Sequence, residues 1–280
     1  MFENSGGIMK TGEEKGKSFF RRPDRPQREA TPPLPEDILQ TSLILAEVAA
    51  PEFSEQCPGK ISLSVGLEEG VLLEGLSARE ADLLLRLAAT LRRPAGGRIY
   101  HWGRDLFALT RRALYPWRRR LAFVSPFQSL LPRLTVLENV TLSQTLTTPQ
   151  TAATVGQEHG ELLEQLALVE YLSRFPPELP TRQYHLALWA RELIKNPQLI
   201  LGVLAGQEEP HGAPSLLPHL LPLFQDYRTQ RRGAMLLAGP FLEPMHPVAD
   251  RLLSCRGEFW REQSLPGRWD RPLLGYLNLL

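Results

Sequence analysis

Four short apolar runs set the strongest limit on what this chain folds into: VLLEG at 71–75, LAFV at 121–124, QLILGVL at 198–204 and AMLLAG at 234–239. Each is short for a helix and lacks the polar alternation of a half-wet strand, so each predicts a strand covered on both faces. Between and around them lie stretches with helical character: DLLLRLAATLRR, ELLEQLALVEYLSRF from Glu161, YHLALWARELIKN, and a segment near 215–230. Strands alternating with helices predict an α/β domain with a mainly parallel sheet. TSLILAEV at 41–48, ISLSV at 61–65 and RIYHWG predict further strands, and ADRLLSCRGEFW a hairpin-like end. Frequent proline, 25 residues in all, fits short rigid connections.

Composition narrows the classes. At 280 residues and 42% apolar, the chain buries a full core and is long for one domain or short for two. A net charge of +1 supplies no global field that would argue for nucleic acid or an acidic substrate. Cys57 and Cys255 lack metal-ligand spacing and read as ordinary thiols. Residues 1 to about 38 have no apolar signal core and read as a disordered basic, proline-rich tail, whose Arg21, Arg22, Arg25 and Arg28 stand beside Phe19 and Phe20 as solvated charges or contacts to anionic lipid. The longest apolar runs, such as LLPHLLPLF, fall short of the ~20 residues that a membrane helix requires.

From residue 42 to about 260 the order of segments resembles the nucleotide-binding domain of ABC transporters. The stretch LAFVSPFQSLLPRLTVLENV at 121–140 looks like that family's buried strand, glutamine loop and following "LLP-x-LTVLENV" run, closest in style to bacterial lipoprotein-release, cell-division and lipid-trafficking ATPases. RPAGGRIYHWGRDL matches the family's hairpin at Gly97, Ile99, Gly103 and Asp105. The resemblance implies a P-loop NTPase-like core with a mainly parallel sheet, an N-terminal antiparallel β part and a helical subdomain at about 127–190. The implied domain covers 39–262, followed by a C-terminal tail at 263–280.

The family's chemistry-bearing positions carry other residues here. Its phosphate loop, G-x-x-x-x-G-K-[ST], cradles phosphates with backbone amides, reaches them with the lysine and holds magnesium with the hydroxyl. Gly75 keeps the first glycine, while Glu80, Ala81 and Asp82 stand for the second glycine, the lysine and the hydroxyl. Two carboxylates thus face the place of a polyphosphate, where like charges ~4 Å apart repel by roughly 4 kcal/mol at an effective dielectric near 20. The loop glutamine's place falls on Pro126, with Gln128 two residues on as a slipped alternative. LSGGQ becomes Leu179, Pro180, Thr181, Arg182, Gln183; the proline removes a donor and Arg182 adds bulk, leaving it a solvated or ion-paired arginine or a lone cation in trans. The strand-end magnesium aspartate and general-base glutamate are Val203 and Leu204, and the switch histidine is Gly239. Glu208 and Glu209 read as solvated loop acids, Pro210 takes the next loop's aspartate position, and His246 reads as a surface histidine.

What persists is the apolar frame. The resemblance places the coupling-helix groove of a membrane permease beside the glutamine loop, so Phe127, Gln128, Leu130, Leu131 and Leu134 are candidate partner-binding residues, with Leu137 and Val140 lining it or forming plain core. The expected function is a catalytically inactive ABC-type subunit, structural or regulatory, bound to a multi-span permease, a sister ATPase or a second copy. It would sit in the cytoplasm, peripheral on the inner face of a bacterial inner membrane, reaching the membrane only through the permease, with no cofactor and no nucleic acid. Two alternatives stand beside it: an ATP-binding subunit with weak residual ATP and magnesium binding, and a soluble regulator on the same fold. The C-terminal Trp269, Leu273, Leu274 and Tyr276 are expected to dock on the domain or on a partner.

Overall fold

The computed structural model describes residues 41–49, 60–204, 216–230, 232–256 and 259–265. The N-terminal tail, Cys57, Glu208, Glu209, Pro210 and the C-terminal docking residues lie outside the described residues. The strands are β1 (Thr41–Ala49), β2 (Ile61–Gly66), β3 (Gly70–Glu74), β4 (Gly96–His101), β5 (Arg104–Asp105), β6 (Leu121–Val124), β7 (Leu199–Val203), β8 (Ala234–Gly239), β9 (Arg251–Arg256) and β10 (Phe259–Ser264). The helices are α1 (Ala78–Ala88), α2 (Arg111–Arg119), α3 (Val136–Thr145), α4 (Ala152–Glu158), α5 (Gly160–Gln165), α6 (Thr181–Leu193) and α7 (Leu217–Thr229).

Two sheets form. One has the order β2-β1-β4-β5 and is antiparallel throughout; the other, β10-β9-β3-β8-β7-β6, is parallel from β9 to β6, with β10 closing the edge as a hairpin. The period-two geometry of a strand sends successive side chains to opposite faces. Leu72, Ala122, Val124 and Ile200 therefore join one core with α3, α6 and α7. Their neighbours Val71, Leu73, Phe123 and Leu201 join a second core with α1 and the antiparallel sheet. Covering on both faces is why these strands are apolar without alternation.

One predicted helix is broken. ELLEQLALVEYLSRF yields only α5 and a 3-10 turn, Val169–Tyr171, because the chain reverses at Ala167, whose φ is 51°. The amide of Leu168 donates to the carbonyl of Leu163 at 2.9 Å and that of Ala167 to Glu164 at 2.8 Å, a left-handed helix stop that brings both Leu166 and Leu168 into the core.

Candidate functional site

The loop at the phosphate position is three residues long. Gly75 leaves β3 with φ +89° and passes so close to β9 that an added Cβ would stand 2.6 Å from the carbonyl oxygen of Cys255, which restricts the position to glycine. Leu76 is buried, and Ser77 caps α1. The segment SARE forms a capping box: the amide of Glu80 donates to Ser77 Oγ at 3.3 Å, and Glu80 Oε2 accepts from the Ser77 amide at 2.9 Å and the Ser77 hydroxyl at 2.6 Å. The amide of Ala81 already donates to the Ser77 carbonyl at 2.9 Å. Helix thus begins at Ala78, within the stretch matched to the phosphate loop, and the positive pole of α1 meets the chain's own carboxylate.

The next two positions are equally engaged. Ala81 is wholly buried in the core under α1. Asp82 Oδ1 accepts from Ser125 Oγ at 2.5 Å, and its Oδ2 pairs with Arg86 Nε at 2.6 Å. Ser125 precedes Pro126, so the hydroxyl position is tied through side chains to the residue before the glutamine position. Arg86 in turn lies 5.5 Å from the centre of the Phe123 ring. An open groove of about 580 Å³ runs along this flank of α1, with Arg79, Glu80, Asp82 and Arg86 on its wall.

At the strand ends, Val203 and Leu204 are buried, and the Leu204 amide donates to the Ala238 carbonyl at 2.9 Å. Gly239 lies where a Cβ would come within 2.1 Å of the Leu204 carbonyl oxygen, so a side chain at the switch-histidine position is excluded by backbone. Its carbonyl accepts from the Gly75 amide at 3.1 Å. Glu74, which the sequence reading passed over, steadies the same end of the sheet by accepting from the Leu242 amide at 2.8 Å. His246 is not the expected surface histidine: it is half-buried in the 3-10 segment Glu243–Val248, with Nε2 buried and without a hydrogen-bond partner among the described residues.

At the signature position, Pro180 is the N-cap of α6 and makes no side-chain cap, Thr181 is exposed, and Gln183 is buried. Arg182 is half-buried, and among the described residues it forms no ion pair and its buried Nε has no hydrogen bond.

The loop from Ser125 to Thr135 has a different character. Phe127 and Leu131 are 50% and 48% exposed. Leu134 is half-buried, whereas Leu130 at 3% exposure belongs to the core, as does Val140, so neither lines a surface groove. Gln128 folds back on its own loop, donating from Nε2 to the Phe123 carbonyl at 3.1 Å and accepting at Oε1 from the Ser125 amide at 3.3 Å. Both ends of its side-chain amide are thus engaged within its own loop. Buried Asn139 anchors the rest: Oδ1 accepts from the Leu131 amide at 2.7 Å, and Nδ2 lies 3.0 Å from the carbonyls of Leu131, Leu134 and Thr135. Tyr184 Oη accepts from the Leu130 amide at 3.0 Å, and Arg191 donates to the Ser129 carbonyl at 2.9 Å. The amide of Val136 donates to the carbonyl of Arg174 at 2.8 Å, so exposed Phe175 rides on a segment bonded to the start of α3.

Solved structures with this architecture are ATP-binding cassettes. The dimeric ATP-binding cassette MJ0796, solved in a post-hydrolysis state with ADP and Pi, aligns with a TM-score of 0.65 at 21% identity, covering 81% of this chain and all of that one. CbiO1 from Clostridium perfringens, part of an ABC transporter complex, aligns with a TM-score of 0.62 at 14% identity, covering 81% and 89%. No family model matches. Among curated proteins, the lipoprotein-releasing system ATP-binding protein LolD of Xanthomonas oryzae is 32% identical over 194 residues, 66% of this chain and 75% of its own length. LolD of Anaeromyxobacter dehalogenans is 34% identical over 166 residues, 59% and 67%. LolD of Geobacter metallireducens is 32% identical over 153 residues, and the match spans 65% of its length. The fold and these identities together place the chain in the ABC transporter ATP-binding family, among relatives of the lipoprotein-releasing ATPases. Among the described residues no helix is long and apolar enough to cross a membrane, and no group of three metal-ligating side chains gathers.

Proposed function

We propose that this chain is a subunit of an ABC transporter complex that keeps the cassette fold without hydrolysing ATP. It would attach to a multi-span permease on the cytoplasmic face of the inner membrane, as its membership of the ABC transporter family implies. The observation that carries this reading is the start of α1 at Ala78, with Glu80 seated on the Ser77 amide. A magnesium-bound polyphosphate needs free amides, a lysine and a hydroxyl there; this loop offers engaged amides, a buried alanine and two carboxylates, and these residues do not fit that ligand. Val203, Leu204 and Gly239 supply neither a metal ligand nor a base. The attachment surface in this reading is the braced loop carrying Phe127 and Leu131, with Leu134 in support.

The purified chain tests this by calorimetry and phosphate release with magnesium-ATP. The expected result is no saturable heat and no turnover above buffer. A second reading, weak residual nucleotide binding, is favoured by the matches to proteins named for ATP binding and by Gly75, which keeps its left-handed turn. Saturable ATP binding that Glu80→Ala strengthens and Ser125→Ala leaves unchanged would establish it in place of the first.

A further inference from the structure

The chain's small net charge conceals two opposed fields. Residues 91–120 hold nine arginines, no lysine, and Asp105 as the one acid; residues 134–178 hold six glutamates against Arg174 alone. Asp105 is turned to the Phe107 amide, 2.9 Å away, as a cap. On α2, Arg112, Arg118 and Arg119 are exposed, and none pairs with a carboxylate among the described residues. Arg104 and Arg120 lie 5.4 and 5.3 Å from the Trp117 ring centre, and Arg120 lies 4.5 Å from that of Trp102, which holds these guanidiniums in fixed planes. Tyr115, 55% exposed, stands among them. On the opposed field, Glu161 and Glu164 lie one turn apart on α5 and Glu170 follows, all exposed and without a cation partner among the described residues, with exposed Val169 between the last two.

We infer that a second copy of this chain docks head to tail, the arginine face of α2 on one copy meeting the glutamates of α5 and of the Val169–Tyr171 turn on the other. The complement of each face is present on the chain itself, which is the argument for a second copy. An anionic membrane would account for the arginines, leave the glutamates without a role and repel them. Exposed charge pairs are individually weak and strongly screened, so their joint effect is to steer and orient association, and it depends on salt. No nucleotide takes part, so the contact goes beyond the reading of the loop at Gly75 and stands whether or not that loop binds ATP.

Sedimentation velocity of the purified chain without nucleotide tests the contact. Reversible self-association at about 50 mM salt should weaken at least ~10-fold by about 500 mM, where screening shortens to a few ångströms. The double variants Arg112→Glu with Arg119→Glu, and Glu161→Arg with Glu164→Arg, should each sediment as monomers, yet associate with each other when mixed. Circular dichroism checks that each is folded; for a variant that is not, the parent's salt titration and the single Arg119→Glu variant decide. Association that ignores salt, variants that associate as the parent does, or folded variants that fail to associate when mixed would overturn the inference. So would a parent that stays monomeric while floating with phosphatidylglycerol vesicles, and association that appears only with magnesium-ATP would point to a nucleotide-bridged dimer in its place.

Discussion

The loop leaving β3 and the loop leaving β6 end in the same local device and reach opposite outcomes. Each runs from a parallel strand into a helix whose N-cap hydroxyl and third-residue glutamate bond reciprocally, Ser77 with Glu80 and Thr135 with Glu138. The first takes three residues, Gly75 to Ser77, and closes on itself, its large side chain, Leu76, buried. The second takes eleven, Ser125 to Thr135, and displays Phe127 and Leu131 on a frame braced by Asn139, Tyr184 and Arg191. Ligand chemistry needs backbone donors left open, whereas partner binding needs side chains held out. The capping box serves the second and defeats the first.

The sharpest way to break this contrast is at Asn139. Its buried amide meets one N–H and three carbonyls of the displayed loop, and Asn139→Ala would leave the Leu131 amide and the Leu134 carbonyl without partners among the described residues, while the Leu131 and Thr135 carbonyls keep their backbone donors. A loss of about 4 kcal/mol is expected by urea unfolding, at the upper end of single substitutions. Next in size is His101, which holds the far end of α1 through Nε2 to the Ala88 carbonyl at 2.7 Å. Burial pushes its pKa from 6.5 down to about 4, against the favourable bond to Ala88. The fold therefore binds fewer protons than the unfolded chain. Stability is full above pH 6.5 and declines as pH falls toward 4, by about 3 kcal/mol in total. Denaturation midpoints across that range should show the slope, and His101→Gln should flatten most of it; half-buried His159, also lowered by burial, supplies a smaller part in the same direction.

A smaller effect is expected at Glu80. Glu80→Ala removes one half of the capping box and should lower stability by about 1 kcal/mol. It also withdraws the carboxylate from the positive end of α1, so calorimetry with inorganic phosphate is the informative readout. If Glu80 is what closes that end, the variant should bind phosphate measurably where the parent does not. Equal silence in both would assign the closure to the early start of the helix.

These two loops also mark how far the sequence could be read. The sheet was legible because strands covered on both faces lose their alternation, as LAFV and QLILGVL do. Ser77-x-x-Glu80 and Thr135-x-x-Glu138 are capping-box signatures visible in the chain, and reading them would have placed the starts of α1 and α3 in advance. The stop at Ala167 was not legible: a non-glycine residue takes the left-handed turn because Leu166 and Leu168 both enter the core, a demand of tertiary packing with no local signal. Nor was the Ser125–Asp82 bond, made across 43 residues. Leu130 and Leu131 show the limit most plainly. Adjacent and identical in type, one is core and the other surface, because the loop turns between the Tyr184 hydroxyl and the Asn139 amide.

The smallest effect on stability should come from the side chains on which the attachment reading depends most. Phe127 and Leu131 each keep about half their surface in water, so Phe127→Ala and Leu131→Ala remove little buried area, and each should shift unfolding by less than about 0.5 kcal/mol. Exposed aromatic and aliphatic groups on a rigid frame bind a partner with only their own rotamer freedom to lose, and truncating one that acts as a hot-spot anchor weakens association by ~30-fold or more. Capture of a co-expressed permease by the tagged chain separates the two properties. Loss of capture with unchanged unfolding assigns the displayed loop to attachment. Capture that survives both truncations, yet is lost in Asn139→Ala, would mean that the loop acts through its backbone shape.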